Sequence, residues 1–475
     1  MSNIASSLKK GVLASLSTQF VSVFIQMGIN IFLARSLSPL DFGIVIKITA
    51  ITGFFIVLGN LGIGTAIVQR KQLSVNDKNE FFTFLFFVGI LLSFIFITIS
   101  GYIADFYNNI IYLSISKVLS LSIFFHVINI VPNSILRRNQ RFFHVGLIQI
   151  ISGFISAVFS YFMIKNGFGF MTLIYNYVLL IFSESILTFL FLKINFKLRF
   201  HFSAVKEEFN YSFFQFMNNI ANYSTRNIDK ILVGKFLGDK SLGIYERSFQ
   251  LIAYPVNQLD RIVGPVLHPV FSIHQDDRNR IFNHYLKLLK IILFLSMPLS
   301  IFVFLFSKDI ILLLYGSNWI STVPILKIIS SLIFIKVVNA STTPIYQSLG
   351  YTKYLFYSNI LTSVLVIFFI LIGVLSKDIF MLSKCVTISY FISFSFHYYF
   401  LIKKSFQKSF NDILFIFKPL LISILLIIVF YNFQDYFFVN RLITLGLKMI
   451  IFFVVNLFLI IVFKEFRILK EIITK

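Results

Sequence analysis

The chain has 475 residues, of which 57% are hydrophobic and 13% charged, with a mean hydropathy of +0.87. No water-soluble domain of that length hides so much apolar side chain in a core, so soluble enzymes and binding modules are excluded and the chain reads as a polytopic membrane protein. The formal net charge of +23 is spread over alternate loops and not gathered into a patch, which argues against a nucleic-acid partner.

Lys9 and Lys10 precede a long apolar run that no small-residue cleavage site follows, so the run is expected to be a retained first span and not a signal peptide. Apolar windows of about 20 residues, the length that crosses a bilayer core, fall near 12–33, 43–66, 81–103, 113–134, 144–164, 171–192 and 210–233. They continue near 242–268, 285–306, 321–348, 355–375, 379–402, 413–431 and 442–463. The predicted fold is all-α, with about 14 transmembrane helices.

Polar residues inside these spans carry the next information, because a charge at mid-membrane is costly and normally faces a bundle interior or a wet cavity. The first span places Ser15, Gln19, Ser22, Gln26 and Asn30 at steps of three and four, one stripe on one helix face. Lys47 stands in the second span, His126 in the fourth, and Glu184 in the middle of the sixth with no base near it in sequence. The seventh span carries Gln215, Asn219, Asn222, Arg226 and Asp229 on one face, and the eighth carries Arg247, Gln250, Tyr254, Asn257 and Arg261. Lys336 lies in the tenth. Three polar stripes predict a shared aqueous cavity with a basic surplus, lined by Lys47, His126, Arg226, Arg247, Arg261 and Lys336. Helix-to-helix adhesion by Ser, Asn and Gln is the plainer alternative. Glu184 and Asp229 are the candidate proton or sodium sites, whereas Glu246 and Asp260, beside Arg247 and Arg261, read as charge partners. The lone Cys385 supports neither a disulfide nor a cysteine metal site. No cofactor and no metal are expected.

The spans repeat at a constant offset. Arg35, Leu37, Gly43, Ile44 and Lys47 recur two hundred residues later as Lys235, Leu237, Gly243, Ile244 and Arg247, and Asp77, Asn79 and Phe82 recur as Asp277, Asn279 and Phe282. After a ten-residue slip Ile123, Phe124, His126, Val127 and Asn129 answer Ile333, Phe334, Lys336, Val337 and Asn339. An even number of spans per copy gives two parallel six-helix repeats, residues 1–205 and 206–404, followed by residues 405–475 with two extra helices and a tail. Duplicated membrane units place a site between them and point to a transporter.

Lys and Arg favour the loops on the side of the amino terminus roughly three to one, which puts both termini in the cytoplasm. Arg70 with Lys71, Arg137 with Arg138 and Arg141, and Lys193, Lys197, Arg199 and Lys206 belong to that orientation signal. The charge also implies contact with anionic lipid headgroups. The 63 Phe residues read as lipid-facing filler with no role as a class.

The stretch Leu33-Ala34-Arg35-Ser36-Leu37-Ser38-Pro39-Leu40-Asp41-Phe42-Gly43 resembles the opening signature of polysaccharide repeat-unit flippases. Arg226-Asn227-Ile228-Asp229-Lys230-Ile231-Leu232-Val233-Gly234-Lys235-Phe236-Leu237-Gly238, Leu242-Gly243-Ile244-Tyr245 and Pro269-Val270-Phe271-Ser272 resemble landmarks of the lipopolysaccharide-type exporter branch of the multidrug/oligosaccharidyl-lipid/polysaccharide superfamily. The resemblance covers nearly all of residues 1–400 and fades in the last two spans. It implies a V-shaped pair of six-helix lobes that moves undecaprenyl-pyrophosphate-linked oligosaccharide, an O-antigen or exopolysaccharide precursor, across the bacterial cytoplasmic membrane by alternating access. Membrane lipids and the polysaccharide polymerase and chain-length proteins are the implied partners. Buried Arg and Lys suit a pyrophosphate.

Other classes fit less well. A membrane polymerase needs a sizeable outer loop or a catalytic constellation, and neither is visible. Val233-Gly234-Lys235-Phe236 lacks the glycine spacing and hydroxyl of a phosphate-cradling loop. A multidrug cation antiporter of the same superfamily is the nearer rival, for which an acidic or aromatic cavity is expected. A scaffold of the assembly complex would leave the buried charges without a purpose.

Overall fold

The computed structural model describes the backbone of residues 2–194, 196–272, 277–409, 417–433, 440–463 and 465; the side chains of 2–16, 19, 20, 209–212, 214, 260–272, 352 and 417 lie outside the description. Helices α1 (Ser2–Ser36), α2 (Pro39–Asn60), α3 (Ile63–Gln69), α4 (Val75–Thr98), α5 (Ser100–Tyr107), α6 (Ile111–Arg138), α7 (Phe142–Lys165), α8 (Met171–Leu192), α9 (Ser203–Glu207) and α10 (Phe209–Phe236) come first. Then follow α11 (Asp239–Ser272), α12 (Arg278–Leu305), α13 (Ser307–Leu314), α14 (Val323–Ile329), α15 (Leu332–Ala340), α16 (Thr342–Ser348), α17 (Thr352–Leu375), α18 (Ile379–Tyr399), α19 (Phe417–Phe430) and α20 (Arg441–Val462). Among the described residues each of the fourteen predicted windows overlaps helix.

Nine of the described helices are long and apolar enough to cross a membrane, or ten when 317–329 and 332–348 count as one span bent by 52°. The helices on the seventh and eighth windows are not among the nine, because the polar stripes that make them informative also dilute their hydropathy; in the first and thirteenth windows the described apolar stretches, Val21–Ser36 and Lys418–Phe433, are too short to count. The bend in the tenth window falls at Ser330 and Ser331, an adjacent serine pair of the kind that interrupts a helical ladder. The second window also divides. Leu61 and Gly62 adopt positive φ of 46° and 74°, ending α2 before α3 restarts.

Helix starts follow from local sequence. Ser38 and Asp41 form a capping box with Pro39 at the first helical position of α2, and the Ser38 amide donates to Asp41 Oδ2 at 2.8 Å. Ser74 and Asp77 do the same for α4, with 3.0 Å from the Ser74 amide to Asp77 Oδ2. Asp277, the repeat counterpart of Asp77, caps α12.

Contacts divide the chain into two compact units, Met1–Gly243 and Ile244–Lys475, with the division inside α11. The sequence repeat divides the chain earlier, at residue 205; α10 nevertheless joins the first unit, where it packs along α2. There the Tyr223 hydroxyl donates to the Ala50 carbonyl at 2.7 Å, and Gly53 leaves the room in which the Tyr223 ring sits. In the first unit α6 is central, against α2, α3, α4, α5 and α8. Buried small hydroxyl residues, such as Ser152, Ser156 and Ser160 on α7, allow close helix approach. The Ser156 and Ser160 hydroxyls return to carbonyls of their own helix at 2.9 and 2.7 Å.

In the second unit α12 packs on α14, α15, α19 and α20. Phe294, Phe302 and Phe306 share one apolar cluster with Ile422, Leu426, Phe430 and Phe452. Two ion-pair groups flank it: Lys448 with Asp309 at 2.6 Å, and Glu465 with Lys290 and Lys418 at 2.5 and 2.8 Å. The last two helices are therefore built into this unit. Cys385 is buried in α18, as expected of a small apolar residue. Many Phe rings, among them Phe24, Phe94, Phe154 and Phe458, lie on the outer surface, where lipid would meet them.

Candidate functional site

Within the first unit, α3, α6, α7 and α8 surround a cavity of about 550 Å³. Its polar lining includes Glu184 from α8, His126, Asn129, Asn133 and Arg137 from α6, and Gln149 from α7. The α6 residues stand at steps of three, four and four, so one helix face presents all of them. Arg137 is the base whose field reaches Glu184, and its Nε donates to Asn133 Oδ1 at 2.7 Å. Asn129 Oδ1 is buried with no hydrogen-bond partner among the described residues. A carboxylate and an unsatisfied amide oxygen in one wet pocket are oxygen ligands for a hard cation, or a carboxyl poised to carry a proton. Among the described residues no three His, Cys, Asp or Glu side chains gather as a metal site.

Sequence reasoning reached Glu184 and His126 but assigned Arg137 to loop orientation, named Asn129 only as a repeat position, and left Asn133 and Gln149 unread. The signal was present: the stripe test applied to three other spans also holds for residues 126, 129, 133 and 137. Arg138, likewise assigned to orientation, serves a local purpose as well. Its guanidinium gathers the carbonyls of Ile67, Arg70 and Lys71, which α3 leaves open at its end.

Lys47, Arg226, Arg247 and Lys336 do not line that cavity. Lys47 is 5% exposed and its Nζ lies 2.7 Å from Asp239 Oδ1 and 4.8 Å from the centre of the Tyr107 ring. It is neutralised in place, which corrects the expectation of a surplus cation there; burial of an unpaired ammonium would cost far more than the pair does. Asp239 opens α11, close to where Gly43 and Gly243 pack: a Cβ on Gly43 would collide with the Asp239 carbonyl, and one on Gly243 with the Pro39 carbonyl. The two glycines related by the repeat thus meet where their helices begin.

Arg226 is exposed on α10 and has no carboxylate partner among the described residues. In the second unit Arg247 is buried, hydrogen-bonded to Gln250 Oε1 and to Tyr315, and Gln250 Nε2 donates to the Tyr254 hydroxyl at 3.3 Å. The predicted stripe is a hydrogen-bonded ladder along one face of α11. Asn257 continues it, exposed. Lys336 Nζ sits 5.5 Å from the Phe249 ring centre and 4.8 Å from that of Tyr390. Asn339, the counterpart of Asn129, also has a buried Oδ1 without a partner among the described residues.

The amides of the stripes turn largely to their own helices. Asn30 Nδ2 donates to the Gln26 carbonyl at 2.9 Å, Gln215 to Asn219 at 3.1 Å, and Asn222 to Asn218 at 3.1 Å. Asp229 accepts from the Lys230 amide at 2.8 Å. The side chains of Gln19, Asp260 and Arg261 lie outside the described residues.

Residues 32–324 match the family described as polysaccharide biosynthesis protein. The chain belongs to that family. Among curated relatives of this polysaccharide biosynthesis protein, teichuronic acid biosynthesis protein TuaB of Bacillus subtilis (strain 168) is 25% identical over 59% of the chain and 58% of its own length. Lipopolysaccharide biosynthesis protein WzxC of Escherichia coli (strain K12) is 23% identical over 68% of the chain and 67% of its own length. The chain thus spans well under two thirds of TuaB in the matched stretch. In fold it is similar to the lipid II flippase MurJ, with a TM-score of 0.75, 18% identity, and coverage of 96% of this chain and 99% of that one. An inward-facing multidrug resistance MATE transporter of the MOP superfamily gives a TM-score of 0.64 at 13% identity, covering 81% of this chain and 97% of that one. The all-α fold expected from the sequence is the fold observed, and these solved structures share it.

Proposed function

We propose that this chain is a flippase, not an enzyme, which moves an undecaprenyl-pyrophosphate-linked oligosaccharide repeat unit from the inner to the outer leaflet of a bacterial cytoplasmic membrane. The observation that carries the reading is membership of a polysaccharide biosynthesis family in a chain whose fold follows a lipid II flippase over 96% of its length. Alternating access of two repeat-related halves is the mechanism, with both termini cytoplasmic. The cargo is handed to polymerase and chain-length proteins.

Among the bases, Arg226, Arg247, Arg261, Lys336 and His126 are assigned to the pyrophosphate path, assisted by Gln250 and Asn257; Lys47 is left out because Asp239 neutralises it. Glu184, with Asn129 beside it in the same cavity, is assigned to proton or sodium coupling. Asp229 is the second carboxylate for that role. A carboxylate-bearing cavity also suits a multidrug cation antiporter, which shares the fold. Family membership favours the polysaccharide cargo.

Depletion of the chain in its own cells separates the two. Lipid-linked repeat units accumulating in the inner leaflet, with loss of surface polysaccharide, is the expected result, and restoration by wild type but not by Arg226→Ala with Arg247→Ala supports the anion path. Unchanged surface polysaccharide after depletion, with new sensitivity to cationic drugs, would assign the antiporter.

A further inference from the structure

The cavity that holds Glu184 is larger, and chemically more mixed, than one coupling ion requires. Its volume of about 550 Å³ is that of a small-molecule pocket, whereas a water occupies about 30 Å³. On α6 the lining runs from His126 to Arg137, a rise of about 16 Å. Gln69 and Arg137 are exposed while Asn129, Gln149 and Glu184 are half-buried, so solvent reaches the cavity from the Gln69 and Arg137 end. Arg70, Lys71 and Arg138 adjoin these two residues in sequence and belong to the basic loops, which places that end on the side the loops face.

The polar groups of this wall are unspent. The side chains of Asn60, Gln69, His126, Asn129, Gln149 and Glu184 make no hydrogen bond with another described residue. Arg137 gives one nitrogen to Asn133 Oδ1, and the Asn133 amide nitrogen makes no bond among the described residues. Amides on α1 and α10 bond along their own helices instead, and interior polar groups are as a rule hydrogen-bonded. The mixture decides the ligand. A metal cation meets acceptors alone and would leave Arg137 and the amide donors idle. An anion meets donors and would be repelled by Glu184. Each amide donates and accepts at once, as each hydroxyl of a sugar does, and Val68, Ile130 and Ile181 on the same wall offer apolar surface to the C–H faces of a ring.

We propose that, beside the coupling pair Glu184 and Asn129, this cavity is a carbohydrate subsite, in which Gln69, Asn133, Arg137 and Gln149 hydrogen-bond hydroxyls of the saccharide headgroup entering from the side of the basic loops. The proposal rests on the flippase reading and deepens it: the sugar is recognised by residues other than the bases assigned to the pyrophosphate, since Arg226, Arg247 and Lys336 do not line this cavity. Selection among cargoes is then set by amides that exchange hydrogen bonds with hydroxyls, and charge attraction serves the pyrophosphate alone.

Native mass spectrometry of the purified full chain tests it with two probes, the lipid-linked repeat unit extracted from the cells that make it and undecaprenyl pyrophosphate carrying no sugar. Wild type is expected to bind the first about tenfold more tightly than the second. Gln69→Leu with Gln149→Leu removes no hydrogen bond to another described residue, so the melting midpoint should stay at the wild-type value. The same double variant should bind the lipid-linked repeat unit no better than the bare carrier and leave undecaprenyl pyrophosphate unchanged. Equal binding of the two lipids by wild type, or a preference that survives in the double variant, would overturn the proposal, assign the cavity to water and the coupling ion, and leave the flippase reading standing. Wild type that retains neither lipid would overturn both.

Discussion

Replacing Asp239 by Asn tests the buried pair with Lys47. The ammonium is 5% exposed and would lose a carboxylate at 2.7 Å, while the Tyr112 hydroxyl, 3.5 Å from the same oxygen, would face a neutral amide in place of the charged acceptor. Breaking a fully buried pair costs about 3–5 kcal/mol. The Asp239 side chain is 24% exposed, so water recovers part of that. About 2–3 kcal/mol is the expected loss. Lys47→Met combined with Asp239→Leu removes both charges and should recover most of it, since matched apolar replacements of buried pairs are often neutral. Detergent-solubilised wild type, Lys47→Met, Asp239→Leu and the double variant, followed through denaturant or heat beside Asp239→Asn, give the four values of a double-mutant cycle that isolates the pair. Asp239→Asn with wild-type stability, or a double variant less stable than either single one, would refute the pairing.

Gly43→Ala should destabilise by about 1–3 kcal/mol through overpacking against the Asp239 carbonyl, seen as a lower melting midpoint; an unchanged midpoint would mean the helices part without cost. Burial pushes the Glu465 carboxyl up, but hydrogen bonds from Lys290 and Lys418 outweigh it and hold the group below the usual carboxylate range. Because the folded value is depressed, that stabilisation is full above the unfolded value of about 4.3 and is lost as pH falls through the folded one. Hydrogen exchange in α20 should therefore be slower in wild type than in Glu465→Gln at pH 7, with the difference closing below about pH 4. Glu184→Gln should leave expression intact and abolish the dependence of transport on proton or sodium gradients; retained dependence would remove Glu184 from the coupling role.

The spans were legible because hydropathy alone fixes where a chain can cross lipid, and Ser38 with Asp41 or Ser74 with Asp77 marks a helix start in four residues. Breaks inside windows were not legible. Leu61 takes a left-handed conformation with no marker of its own beyond the glycine after it, and the bend at Ser330 depends on packing as much as on the serine pair. Partnerships between distant residues were hidden for the same reason. Lys47 and Asp239 lie far apart in sequence, and only the approach of α2 to the start of α11, permitted by Gly43 and Gly243, brings them together. The offset of two hundred nevertheless flagged both glycines. At the cavity, Glu184 stood out as a lone acid in oil, while Arg137 was lost among the loop bases and concealed the stripe on α6 that completes the site.

Reconstitution measures the proposed activity most directly. Vesicles containing the purified chain and a fluorescent undecaprenyl-pyrophosphate-linked oligosaccharide are treated with a membrane-impermeant quencher, and the fraction of lipid that becomes accessible is followed in time. Flipping is expected to rise with the amount of chain and to fall in Arg226→Ala with Arg247→Ala. Accessibility no faster than in protein-free vesicles, across imposed proton and sodium gradients, would contradict the flippase assignment.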